Sequence, residues 1–173
     1  LSERLNELPE VDIATGIRGV QARIADSNTF ATGVDPVPGF ELFDLDPIQG
    51  TAADLAEPDT IAVFEGRAED KDWSVGDEVD VVFPQYGPTT LRIAMIYGNK
   101  ELAGDYTIGF PTLDRYVPDP ADFAVFARLA DGVDPDEARP ALEAVTDDYP
   151  TGALLDVEEY KDATAEQFTP ILG

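Results

Sequence analysis

Pairs of neighbouring acidic residues are the first candidates for chemistry in this chain of 173 residues. Two carboxyl groups held close together can perform acid–base catalysis of the glycosidase type. The visible clusters are Asp44 with Asp46, Asp147 with Asp148, and Glu158 with Glu159. Because the chain has 36 Asp and Glu residues, such neighbours are expected by chance. An acid-only hydrolase is therefore the weakest of the functional hypotheses.

Other catalytic groups are missing from the sequence. The chain contains no cysteine and no histidine, and its serines are limited to Ser2, Ser27 and Ser74. Thiol nucleophiles, disulfides, imidazole ligands and Ser-His-Asp sites are thereby excluded. No glycine-rich phosphate loop is present either. The sequence predicts a protein that is not an enzyme and holds no cofactor.

The segment Asp131 to Glu137, DGVDPDE, is the one stretch whose acids suggest a calcium loop. It lacks the ligand order of an EF-hand. Asp134 followed by Pro135 and Glu137 is typical of a helix start, with Asp134 as the N-cap and Pro135 as the first helical residue. We expect helix capping here and no metal site.

The charge balance is strongly acidic. Lys and Arg number 11 against 36 Asp and Glu, which gives a formal net charge of −25. This field repels nucleic acids and anionic headgroups, so no nucleic-acid partner is expected. A solvated acidic surface or a high-salt habitat accounts for the composition. We also expect the isolated domain to be monomeric, because such a surface resists self-association.

The first fifty residues predict a helix followed by a hairpin. Leucines at positions 1, 5 and 8 mark one face of a short helix that ends at Pro9. Strands are predicted over 11–24 and 29–34, with Gly16 and Gly19 as candidate bulges. Residues 35–50 are rich in Pro, Gly and Asp and predict a connector with short extended pieces.

The middle of the chain predicts a β-rich region. A helical turn is expected over 65–72, and Gly87-Pro88 is expected to be a turn. Trp73, the single tryptophan, is predicted to belong to the core, and Gly76-Asp77 predicts a turn. Apolar or alternating segments predict short strands over 59–64, 78–83, 90–97 and 106–110.

The last third alternates between strand and helix. Residues 123–129 are apolar on both faces and predict a buried strand. The helix capped by Asp134 carries Ala138, Ala141, Leu142, Val145 and Tyr149 on one face and is interrupted by Pro140. Leu154-Leu155 predicts a short strand, and 157–172 a final helix.

These elements predict an α+β fold with a discontinuous helix-on-sheet lobe. Residues 1–50 and 121–173 would form that lobe, and residues 51–120 would form a small β-rich lobe inserted between them. This arrangement places both chain termini side by side at one end. Four aromatic residues near the turn from Gly98 to Gly104 are candidates for contact with a protein or lipid partner, with core packing as the alternative: Tyr97, Tyr106, Phe110 and Tyr116.

Four segments of the sequence form a pattern: Leu8-Pro-Glu-Val, IAVFEGRAEDKDWSVGDEV at 61–79, TLRIAMIY at 90–97 and DFAVFARLADGVDP at 122–135. In this order they resemble the extracytoplasmic domain of FtsX-like and MacB-like ABC transporter permeases. The last segment is similar to actinobacterial members. Three positions depart from the family pattern: Phe64 stands where Ser is frequent, Asp72 where Gly is frequent, and Pro140 in a helix usually free of proline.

The resemblance implies a domain between the first two of four membrane helices, on the outer side of the cell membrane. It implies a cytoplasmic ATPase partner whose motion reaches the domain through those helices, and an extracellular protein or lipid partner. The domain would be a moving arm without catalytic residues. The alternative is a free-standing secreted acidic binding module.

Overall fold

The computed structural model describes residues 1–36, 42, 45–100, 103–118 and 122–148. The predicted strand at Leu154-Leu155, the final helix at 157–172 and Tyr149 lie outside these residues. Helices are α1 (Ser2–Asn6), α2 (Glu65–Lys71), α3 (Phe110–Tyr116) and α4 (Pro135–Thr146), with a 3-10 helix at Ala52–Ala56. Strands are β1 (Val11–Ile24), β2 (Ser27–Val34), β3 (Pro47–Gly50), β4 (Thr60–Phe64), β5 (Glu78–Phe83), β6 (Gly87–Tyr97), β7 (Tyr106–Gly109) and β8 (Asp122–Leu129).

Six of the strands close into a barrel. Their order is β2-β7-β4-β6-β5-β1, and β1 pairs again with β2. The ring is mixed, because β2 with β7 and β4 with β6 run parallel while the other pairs are antiparallel. The pairing between β1 and β5 that closes the barrel is short: Arg23 pairs with Val82, and Ile24 with Val81. The predicted α+β class is confirmed. The barrel combines β4, β5, β6 and β7 of the predicted β-rich region with β1 and β2 from the first fifty residues.

Alternation along the strands fills the barrel interior. Val79, Val81 and Phe83 of β5 point inward, as predicted, and are almost fully buried. Trp73 is half-buried and packs against this core. On the outer side of β4 and β6 a second cluster, with Leu55, Met95 and Tyr97, packs under the 3-10 helix. Each of these strands is therefore buried on both faces.

The two halves of the long strand β1 have different main pairing partners. Its second half, from Arg18 to Ile24, pairs with β2 in the barrel wall. Its first half, from Val11 to Arg18, pairs with β8. We call α1, residues 11–18, β8 and α4 the base, because they pack around a separate apolar cluster. The predicted division into residues 1–50, 51–120 and 121–173 stays a prediction.

Two sequence predictions about turns and bulges were wrong. The β5–β6 turn lies at residues 84–86, and Gly87 and Pro88 pair with Phe83 and Val82 within the sheet. Gly87 has a φ of +102° there, which suits the start of a hairpin strand. In β1 the register shifts fall at Val11/Ile13 and Ile17/Arg18, away from Gly16 and Gly19.

Two predictions about strands in the second half of the chain also need correction. The predicted strand over 106–110 ends at Gly109, and Phe110 opens α3, where Pro111 favours the first helical turn. The predicted buried strand at 123–129 is β8, whose Ala127 and Arg128 are exposed. β8 is the last strand in the described sheet order, where it pairs with β1. None of the described strands pairs with its other edge.

Candidate functional site

The base is where the beginning and the end of the described chain meet. Helix α1 lies on β1 and β8 and also contacts α4. Side chains from both ends of the described chain form one apolar cluster, with Leu1, Leu8, Val125, Leu129 and Val133 around it. Its buried members are Leu5, Val11, Ala14, Ala138, Leu142 and Val145. This cluster confirms the predicted apolar face of α1 and, for Ala138, Leu142 and Val145, that of α4.

An asparagine fastens α1 to the first strand. The Asn6 side-chain amide donates to the Ala14 carbonyl at 2.9 Å, and the Ala14 N–H donates to Asn6 Oδ1 at 2.7 Å. Ala14 is buried, so these bonds satisfy backbone groups that would otherwise lack a partner. The sequence reading missed Asn6. Its position in the last turn of a short leucine-faced helix was the available signal.

An ion pair links the two ends of the described chain. Arg4 Nη2 lies 2.8 Å from Asp148 Oδ2, which joins α1 to the residue just beyond α4. Both side chains are partly exposed, so the pair contributes little to folding free energy. The predicted exit of both termini from one lobe depends on residues 149–173, which lie outside the described ones. Within the described ones, residue 4 and residue 148 are neighbours.

The entry into α4 has the predicted cap. Asp134 Oδ1 accepts a hydrogen bond from the Asp136 N–H at 2.8 Å, and Pro135 is the first helical residue. Asp136 and Glu137 stand in the first turn, where the helix dipole favours negative charge. The helix continues through Pro140 to Thr146. α4 is thus a fixed element that presses Ala138 and Leu142 onto the base cluster.

The base joins the barrel through few elements. Among the described residues, α1 contacts β1, β8 and α4, and β8 pairs with β1, while α1, β8 and α4 make no more than isolated contacts with the other barrel strands. The barrel is therefore held to the base chiefly by one continuous strand.

The four candidate partner-contact residues lie mostly inside the molecule. Tyr97, Tyr106 and Tyr116 are 0%, 5% and 6% exposed, and Phe110 is half-buried against the barrel core. The structure does not bring them together into one exposed surface. Contact of these residues with a partner stays a prediction, and their burial accords with the alternative of core packing.

Tyr97 anchors the loop that follows β6. Its hydroxyl donates to the Gly104 carbonyl at 2.6 Å and accepts from the Thr107 hydroxyl at 3.3 Å. Burial raises the pKa of Tyr97 well above the usual tyrosine range. Burial also raises the pKa of Tyr106. These phenols stay protonated and act as hydrogen-bonding core groups.

Tyr116 is a buried member of the barrel core. Its ring stacks on Phe83 with centroids 5.1 Å apart, and the exposed Tyr86 meets it edge-on at 4.6 Å. Its hydroxyl donates to Asp59 and accepts from Thr89 at 3.3 Å. The hydrogen bond to the Asp59 carboxylate raises the pKa of Tyr116. The arrangement pins α3 to the start of β4.

The described acids do not assemble a metal centre. In the ranges that the structure covers, no group of three or more acidic side chains is arranged to hold a metal ion. Of the acidic pairs seen in the sequence, Asp148 binds Arg4, and Asp44, Glu158 and Glu159 lie outside the described residues. None of the described helices combines the length and apolar character needed to cross a membrane.

Comparison of the fold with solved structures gives high-scoring matches. The periplasmic region of MacB from Actinobacillus actinomycetemcomitans aligns over 84% of this chain and 71% of its own length, with a TM-score of 0.61 and 13% identity. The chain has the fold of the MacB periplasmic region. No protein-family model and no curated protein matches the sequence.

Two further structures share this MacB-like fold. A domain of a candidate permease protein from Porphyromonas gingivalis aligns over 87% of this chain and 76% of its own, with a TM-score of 0.58 and 16% identity. The extracellular domain of YknZ, a noncanonic ABC-type transporter from Gram-positive bacteria, aligns over 87% and 82%, with a TM-score of 0.59 and 14% identity. At these identities the likeness shows the MacB-like fold alone.

Proposed function

We propose that this chain is the extracytoplasmic domain of an FtsX-like or MacB-like ABC transporter permease. The observation that carries the proposal is the fold, which is shared over most of the chain with the periplasmic or extracellular domains of MacB and YknZ. The free-standing secreted module has no comparable support. The actinobacterial type, suggested by residues 122–135, is part of this proposal.

The proposed role is mechanical. A cytoplasmic ATPase would move the membrane helices, and those helices would move the base. The base suits this role because Asn6, Arg4 and the apolar cluster fasten α1 to β1 and to the end of α4. Coupling of this kind needs stiff elements that pass a displacement on, rather than groups that perform chemistry. We propose that the domain is not an enzyme and that an extracellular protein or lipid receives the movement.

The location is tested in cells that express the complete gene product. The chain has no cysteine, so Glu69→Cys in α2 and Glu137→Cys in α4 each introduce a single thiol at an exposed position of this domain. A membrane-impermeant maleimide should label both residues in intact cells. Labelling that requires lysis of the cells would refute the extracytoplasmic location.

The coupling is tested on the complete permease reconstituted with its ATPase. A fluorophore on Glu137→Cys should change its emission when a non-hydrolysable ATP analogue is added. The matched control is an ATPase variant that cannot bind ATP, with which the emission should stay constant. An unchanged emission with the active ATPase would refute coupling through the base.

A further inference from the structure

The point where β1 passes from the base into the barrel is marked by Arg18. In register, Arg18 faces Gly33 of β2 on one side and Asp122 of β8 on the other. The pairing with β8 is irregular at this position, because the register shifts between Ile17 and Arg18. A register shift in a strand produces a local bend and added twist. The strand therefore changes both its partner and its course at Arg18.

One face of helix α3 packs against the Arg18 side chain. The Arg18 guanidinium lies 3.8 Å from the ring centroid of Phe110, and its Nη1 lies 3.0 Å from Asp114 Oδ1. Phe110 and Asp114 are one helical turn apart, so a single face of α3 presents both an aromatic ring and a carboxylate to Arg18. Arg18 thereby links a barrel helix to the bend in β1.

The close approach of α3 depends on a glycine. A Cβ on Gly33 would lie 2.3 Å from Leu113 Cδ1 and 3.1 Å from Arg18 Cβ. Leu113 sits between Phe110 and Asp114 on the same face of α3 and is buried in the barrel core. Helix α3 therefore packs directly against Gly33 and Arg18, the paired residues at the point where the pairing of β1 changes from β8 to β2.

The strand β8 of the base is the next element after α3 in the sequence. Arg18 links the two parts of the molecule, since it belongs to β1 and its side chain is held by α3.

We propose that the base and the barrel turn against each other about β1 at Ile17-Arg18, and that the contact of Arg18 with Phe110 and Asp114 is a releasable brace on this joint. Arg18 and Asp114 keep 21% and 61% of their side-chain surface exposed, which makes the ion pair weak enough to break during a movement. Apolar packing of Leu113 keeps α3 on the barrel when the brace opens. This inference refines the mechanical role proposed above.

The test is a spin-label distance measurement on this chain alone. Glu69→Cys in α2 and Glu137→Cys in α4 place one label on the barrel and one on the base. A second pair, Glu69→Cys with Asp80→Cys in β5, reports on the barrel alone. Each pair is measured in the parent chain and in the variants Arg18→Ala and Asp114→Asn.

The matched control is Asp12→Asn. Asp12 pairs with Arg128 Nε at 2.9 Å inside the base, with exposure close to that of Asp114. We expect Arg18→Ala and Asp114→Asn to add a second base-to-barrel distance population, while Asp12→Asn keeps the parent distribution. The distances within the barrel should be the same in all variants.

Two results would refute the proposal that the Arg18 contact braces the base against the barrel. One is a base-to-barrel distribution in both Arg18→Ala and Asp114→Asn that matches the parent. The other is an equal broadening of the barrel pair, which would make these residues general stabilisers. The measurement needs neither membrane nor ATPase, so its failure is separate from failure of the coupling experiment with the complete permease.

Discussion

Asn6 and Ala14 exchange two hydrogen bonds between a side-chain amide and a backbone, and this exchange fixes α1 against β1. Removing the amide leaves the buried N–H and carbonyl of Ala14 without their partner. We expect Asn6→Ala to lower the free energy of unfolding by about 2 kcal/mol, as is typical for buried polar groups left unsatisfied.

The measurement is chemical denaturation of the chain. Its control is Glu7→Ala, a neighbouring exposed position, which should change stability by less than about 0.5 kcal/mol. Equal effects of the two substitutions would show that the amide does not hold α1 in place.

The cap of α4 gives a second prediction. Asp134→Ala removes the acceptor for the Asp136 N–H and should lower the free energy of unfolding by about 1 kcal/mol. Asp131→Ala, in the exposed turn before it, is the matched control and should have little effect. Thermal melting curves that coincide for the parent chain and Asp134→Ala would disprove the assignment of the cap.

Asp72 gives a prediction in the opposite direction. It ends α2 in the left-handed conformation, with φ +56° and ψ +44°, where glycine is the usual residue. We expect Asp72→Gly to stabilise the chain by about 0.5 kcal/mol, because glycine has no Cβ to strain that conformation. Asp70→Gly, inside α2, should instead destabilise it by about 0.3 kcal/mol, the difference in helix propensity between Asp and Gly. Destabilisation by both substitutions would contradict the prediction.

The buried phenol of Tyr97 predicts a loss of stability at alkaline pH. Burial raises its pKa in the folded state above the value of 10.0 that applies when it is exposed. The folded state therefore holds the proton more tightly. Its contribution is complete below pH 10 and is lost as the pH rises above that, at about 1.4 kcal/mol per pH unit.

Tyr97→Phe should make the alkaline decline shallower, while the raised pKa values of Tyr106 and Tyr116 leave part of it in place. The substitution should also cost about 1 kcal/mol at neutral pH for the lost hydrogen bonds to Gly104 and Thr107. Tyr86→Phe, at an exposed ring, should keep the full decline. Denaturation at several values between pH 9 and pH 11.5 measures both slopes. Identical slopes for Tyr97→Phe and the parent would rule out Tyr97 as the titrating group.

Local patterns predicted the elements that depend on nearby residues. Alternation gave β5 with Val79, Val81 and Phe83 inward, and Asp134-Pro135 gave the start of α4. The predicted turn at Gly76-Asp77 is also present: Gly76 has φ +97°, and the Asp77 carboxylate accepts from the Ser74 N–H at 2.8 Å. In each case the physical cause lies within a few residues of the signal.

What the sequence did not predict depends on distant partners. Closure of the barrel comes from parallel pairing of β2 with β7 and of β4 with β6, which no local pattern encodes. The exposure of β8 follows from its place at the end of the sheet, since its residues alone indicate a buried strand. Asn6 and Arg18 were missed because each acts through a contact with a separate element.

Under the proposed coupling, the route by which β1 enters the barrel would determine how the molecule bears load. A pull from the base would act along β1, which is hydrogen-bonded laterally to β2 and to β5. Rupture in that direction requires several hydrogen bonds to shear together, whereas peeling would break them singly. The ring of strands would thus withstand repeated tension and travel as one unit behind the strand that pulls it.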